Sequence, residues 1–118
     1  MPSLEIPVEK WVGKVREVKL GGNGRKEIVV GGESTLPFLH FEGSIPNRPA
    51  MAIEIQDREP LDWAPWLLSF WGEVVKNPVT WAKKAAGYRA DLITLRLRSA
   101  HPEQGNTGAK EAEKVVAE

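Results

Sequence analysis

Hydrophobic residues recur at two different spacings along the chain, and each change of spacing marks an element. In KVREVKL, residues 14–20, Val15, Val18 and Leu20 alternate with charged positions, slightly out of phase, and RKEIVV ends in a β-rich run at Val30. GGNG lies between them. Gly21, Gly22, Asn23 and Gly24 enter left-handed backbone regions at little cost, so the pattern predicts a hairpin over residues 14–30. Pro37, Gly43, Pro46 and Pro49 then break every period and predict a structured loop over 36–49. AMAIEI, residues 50–55, follows as a strand with Met51, Ile53 and Ile55 on one face and Ala52, Glu54 and Gln56 on the other.

Helical spacing begins at Trp63, Trp66, Leu67 and Phe70, within limits set by Pro65 and Gly72. A second helix has clearer ends: Asn77 to cap it, Pro78 at its first position and Gly87 to stop it. Its Trp81, Ala82, Ala85 and Ala86 form a compact side suited to close packing on a sheet. ADLITLRLRS returns to period two, with Ile93, Leu95 and Leu97 opposite Thr94, Arg96 and Arg98. A last helix is expected from Asn106 or Thr107, running to Glu118 with no terminating signal.

The order strand, helix, strand, helix predicts parallel strands joined by a crossover. Two such strands are too few for a closed sheet. A (β/α)8 barrel takes about 250 residues, so the expected fold class is α/β: an N-terminal β-hairpin followed by the first βαβα portion of a (β/α)8 TIM barrel, a fragment of a longer chain. The expected domains are residues 1–49, the hairpin and lead-in loop, and residues 50–118, the opening of the barrel. A self-contained two-layer domain is the alternative, and it would have to shield the strand edge beside Leu95 and Leu97.

Composition removes several function classes. Sixteen Lys and Arg balance sixteen Asp and Glu, which argues against DNA, RNA or an anionic membrane as partner. With no cysteine, the chain cannot itself ligate an iron-sulfur cluster or a thiolate zinc site. MPSLEIPVEKWVG lacks the pattern of a signal peptide, and no apolar run approaches the ~20 residues that span a bilayer, so the expected location is cytoplasmic.

Candidate chemistry gathers at strand ends. Glu54 and Arg96 fall on the face that would point into a barrel, where they are expected to form a buried structural pair. Gln56, Asp57 and Arg98 lie one step nearer the carboxyl ends, the rim where barrels place their sites. His40 and His101 stand in loops without metal-ligand spacing, and Glu42 beside Phe41 reads as an ordinarily solvated carboxylate ahead of one with a raised pKa. GGNG and VVGG lack the phosphate-binding glycine patterns. Trp81 reads as core, while Trp63, Trp66 and Trp71 divide between core and interface. No catalytic residue and no metal ligand is assigned.

VVGGESTLPFLHFEG at 29–43, NRPAMAIEIQD at 47–57, NPVTWAKK at 77–84 and ADLITLRL at 90–97 together resemble the small subunit of the corrinoid iron-sulfur protein. Its archaeal relative is the delta subunit of acetyl-CoA decarbonylase/synthase complexes. The resemblance covers nearly the whole chain in order. It implies a barrel subunit paired with a large subunit that carries the iron-sulfur cluster, with a cobamide at their interface. It also implies transient contact with a methyltetrahydrofolate or methyltetrahydropterin methyltransferase and with acetyl-CoA synthase. On that reading His40, Glu42, Gln56, Asp57 and Arg98 are candidates for the surface near the corrinoid, and the complex is a methyl carrier. The alternatives are a pterin-dependent barrel methyltransferase and a purely structural subunit.

Overall fold

The structure, a computed structural model, describes residues 2–118. The chain forms two compact units, Met1–Ala50 and Met51–Glu118.

The first unit is held mainly by hydrogen bonds. Strands β1 (Val18–Leu20) and β2 (Ile28–Val30) pair antiparallel, with Val18 opposite Val30 and Leu20 opposite Ile28. The hairpin forms where the alternation predicts it. Its turn uses positive φ at Gly21, Gly22, Asn23 and Gly24, which is why glycines crowd there. Beyond the strands, the Val15 amide donates to the Glu33 carbonyl at 2.8 Å and the Gly32 amide to the Val15 carbonyl at 3.1 Å. Asn47 Nδ2 donates to the Gly31 carbonyl at 2.9 Å and to Glu17 Oε2 at 3.0 Å, tying the loop to the hairpin. Leu36, Phe38 and Phe41 of that loop are exposed.

The second unit has the hydrophobic core. Strands β3 (Ala52–Gln56) and β4 (Leu92–Arg96) pair in parallel, Ala52 with Leu92 through Gln56 with Arg96. Between them run helix α1 (Pro65–Trp71), a 3-10 turn (Gly72–Lys76) and helix α2 (Pro78–Ala86). Asn77 accepts the Thr80 amide at 3.0 Å, so the cap read from the sequence is present. Gly87 stays in the right-handed region at φ −62°, and Arg89, at φ 59°, takes the left-handed turn out of the helix region. At the end of α1 the chain turns at Gly72, φ 72°. Lys84 of α2 donates to the Trp71 carbonyl there at 2.7 Å, supplying a cation to the helix's negative end.

Ile55, Trp71, Val75, Trp81 and Ala85 form the buried centre, with Ile53, Trp63, Leu67, Leu68, Val74, Ala82 and Leu95 packed around it. Small Ala85 lets α2 approach the strands, and Trp81 fills the space between layers. The Trp81 ring meets Trp63 edge to face at 5.5 Å and Trp71 at 5.9 Å. Helix α3 (Ala109–Ala117) starts at Gly108, slightly later than the sequence suggests, where the Gly108 amide donates to Glu111 Oε2 at 2.6 Å.

The barrel expectation is not met. The described residues contain two separate two-stranded sheets, and neither closes on itself or extends the other. Over the described residues the fold is a small α/β arrangement with three α-helices, and they show no opening portion of a (β/α)8 TIM barrel. A parallel pair with a helical crossover is common to many α/β folds, so the strand order alone did not specify closure. The inward face assumed for a barrel fails with it: the Glu54 and Arg96 side chains are 48% and 62% exposed. The premise of a barrel methyltransferase falls for the same reason.

Trp81 is fully buried, yet its Nε1 has no hydrogen-bond acceptor among the described residues. Alanine and phenylalanine both remove this orphaned donor, but only phenylalanine keeps a ring to fill the space. Trp81→Ala is therefore expected to destabilise the chain by about 3–5 kcal/mol. Trp81→Phe should cost less than half as much, as measured by urea unfolding followed by circular dichroism. Equal losses would show that a ring filling this space is not what stabilises the core.

Candidate functional site

Parallel pairing brings the carboxyl ends of β3 and β4 side by side, and the polar residues just beyond them meet there. Gln56 is the last residue of β3 and is 2% exposed. Its Oε1 accepts from Arg98 Nη1 at 3.3 Å. The same guanidinium forks onto Asp62, with Nη1 to Oδ1 at 2.7 Å and Nη2 to Oδ2 at 2.8 Å. Arg98 is thus fixed from two sides: by the end of one strand and by the loop leading to α1.

Asp57 has a different task. Its carboxylate accepts the Ser99 amide at 3.0 Å and the Ser99 hydroxyl, while Ser99 Oγ lies 2.7 Å from Thr107 Oγ1. The Thr107 amide donates back to the Ser99 carbonyl at 2.9 Å. Arg58 donates to the Gln104 carbonyl, and His101 Nδ1 accepts the Glu103 amide at 3.2 Å. These bonds fold the segment after β4 into two 3-10 turns, Arg98–Ala100 and Pro102–Gln104, over the strand ends. Two clefts result. One of about 440 Å³ is lined by Arg96, Leu97, Arg98, His101 and Gln104. The other, about 190 Å³, is lined by Arg58, Glu59, Leu61, Asp62, Arg98 and Gln104.

Of the five residues singled out in the sequence, the structure therefore gathers Gln56, Asp57 and Arg98 at one edge. His40 and Glu42 belong to the other compact unit. Glu42 accepts the Trp11 indole N–H at 3.1 Å and the Glu9 amide at 3.3 Å, which pins the N-terminal segment. His40 is exposed with its ring edge to face against Phe41. Asp62, Ser99, Thr107, Arg58 and Gln104 were not singled out. Asp62 and Arg98 stand 36 positions apart, and no local pattern links residues at such a distance. Among the described residues no group of three or more His, Asp or Glu side chains is placed to hold a metal ion. No described helix is long and apolar enough to cross a membrane.

Glu54 and Arg96 do meet, at 3.7 Å, but in solvent. A double-mutant cycle between Glu54→Leu and Arg96→Leu is expected to give a coupling no larger than about 1 kcal/mol, in place of the strong coupling of a buried pair. Asp62 behaves differently. Its hydrogen bonds from Arg98 hold the carboxyl below its ordinary 3.8, helped by a backbone hydrogen bond and the nearby positive charge. The pair's contribution to stability is complete above that ordinary value and is lost as pH falls through the lower folded one. The Asp62 carboxyl carbon, followed by NMR, should titrate below 3.8 and move back toward it in Arg98→Leu. An unmoved midpoint would contradict the pairing.

A family profile described as "CO dehydrogenase/acetyl-CoA synthase delta subunit" matches residues 17–118. An acetyl-CoA decarbonylase/synthase complex subunit delta from Archaeoglobus fulgidus is 38% identical over 92% of this chain and 25% of its own length. The subunit delta 1 from Methanosarcina thermophila is 36% identical over 94% and 27%, and the Methanocaldococcus jannaschii subunit delta is 34% identical over 95% and 29%. The chain spans about a quarter of the length of these relatives. It belongs to the CO dehydrogenase/acetyl-CoA synthase delta subunit family.

Proposed function

We propose that this chain is part of a delta-type subunit that supports methyl transfer in an acetyl-CoA decarbonylase/synthase complex, as a cofactor-supporting component. The observation that carries the reading is the carboxyl edge of β3 and β4. There a family member presents Arg96, Arg98 and Gln104 around an open cleft, with the Arg98 guanidinium held from behind by buried Gln56. The partners on this reading are a large subunit bearing the iron-sulfur cluster, and in passing a pterin-linked methyltransferase and acetyl-CoA synthase.

A cobamide fits this edge in chemistry. Its periphery carries amide groups, which accept from guanidinium N–H and donate to carbonyl oxygen, and the cleft offers both. Arg96, Arg98 and Gln104 would hold that periphery. The corrinoid itself supplies a cobalt able to carry methyl. The contribution of this chain is to bind and orient. Gln56 and Asp62 keep the Arg98 guanidinium in place, and Asp57 keeps the covering turns in place through Ser99. No side chain of this edge is given a proton-transfer role. Asp57 acts in support and is removed from direct contact by its bonds to Ser99.

The test is anaerobic co-expression of the family-length subunit carrying this sequence with the large subunit and supplied corrinoid. A stable heterodimer with reducible corrinoid bands is expected. Arg98→Ala should weaken corrinoid retention roughly tenfold, the loss typical of a charged hydrogen-bond partner, while leaving the heterodimer intact. A heterodimer whose corrinoid bands are indifferent to Arg98→Ala would take this edge out of the site.

A further inference from the structure

Arg98 lines both clefts, and the carboxylate its guanidinium forks onto belongs to a residue of unlike exposure. The Arg98 side chain is 19% exposed and backed by buried Gln56; that of Asp62 is 63% exposed, in the loop before α1. The arginine is the better-buried half of the pair and the aspartate the half open to solvent. A planar fork that receives one carboxylate also receives two oxygens of a phosphate. Arg96 lines the same larger cleft, and it meets Glu54 at 3.7 Å in solvent. Two guanidinium groups on one cleft favour a tetrahedral dianion, with oxygens for both, over a planar monoanion. Of the surrounding carboxylates, Asp57 is satisfied by Ser99, and Glu59 lines only the smaller cleft.

We propose that Arg98, with Arg96, receives a phosphate group in the cleft beyond β4, and that Asp62 is an internal carboxylate occupying the fork until phosphate displaces it. The inference rests on this edge being a ligand surface, and not on the identity of a corrinoid; failure to bind phosphate would leave the corrinoid spectrum of the heterodimer unaffected.

The test is titration of the 118-residue chain with inorganic phosphate and with phenyl phosphate, at ionic strength fixed with chloride, read from amide chemical shifts. Asp62→Asn and Asp62→Ser remove the competitor from an exposed loop position, and each is expected to bind inorganic phosphate about tenfold more tightly than the wild type. Arg98→Lys keeps the charge but not the fork and should bind about tenfold more weakly. Given that pattern, tighter binding of phenyl phosphate assigns the site to a phosphoester ligand, and equal binding assigns it to free phosphate. If neither Asp62 variant binds more tightly, or if Arg98→Lys binds as the wild type does, phosphate is an adventitious ion only and the proposal is overturned.

Discussion

Burial of the Trp81 ring is the constraint on which the second unit depends. One side chain at 0% exposure joins α2 to the cluster that includes Ile55, while Trp63 and Trp71 close around it edge to face. Large buried aromatic area is what so short a parallel pair requires, because five paired positions cannot hold two strands together in water alone. The placing of the ring follows from sequence. Asn77 and Pro78 set where α2 begins, so Trp81 falls one turn later on the same face as Ala85, whose small side chain permits close approach to the strands. A helix started one residue earlier or later would rotate Trp81 off the core.

The parallel register then determines the edge. With Gln56 opposite Arg96, the residues that follow each strand emerge at the same level: Asp57 and Arg58 from one, Arg98 and Ser99 from the other. Their bonds divide into two sets. Asp57 to Ser99 and Thr107, with Arg58 to the Gln104 carbonyl, shape the turns. Gln56 and Asp62 orient Arg98. The first set shapes the turns and the second holds a side chain that lines an open cleft, which is why Arg98 is proposed to bind and Asp57 to support.

The local features of this fold were legible in the sequence. Turn chemistry at GGNG, the Asn77 cap and the two alternating strands each rest on residues within a few positions of one another, where steric and hydrogen-bonding preferences act directly. Closure of a sheet is a property of many strands, and the parallel pair carried no information about it. The reading of Glu54 and Arg96 as buried failed for that reason: their face was inferred correctly, and what lies against the face was not. That Gln56, Asp57 and Arg98 lie at one edge was legible because residues at the ends of parallel strands emerge side by side. Asp62, Ser99 and Thr107 escaped because their partners lie far along the chain or are set by the turns between them. Glu42 was read as a surface group near a cofactor, and its bonds to Trp11 and Glu9 give it a structural task within the first unit.

The central claim is that the carboxyl edge of β3 and β4 is a ligand-facing surface. The most direct measurement is an experimental structure of a family-length subunit carrying this sequence, bound to its large subunit and loaded with corrinoid. Arg98 and Gln104 are expected to lie within hydrogen-bonding distance of the corrinoid, with Asp57 still bonded to Ser99. An edge buried under the remainder of the same polypeptide, with the corrinoid held elsewhere, would contradict the account.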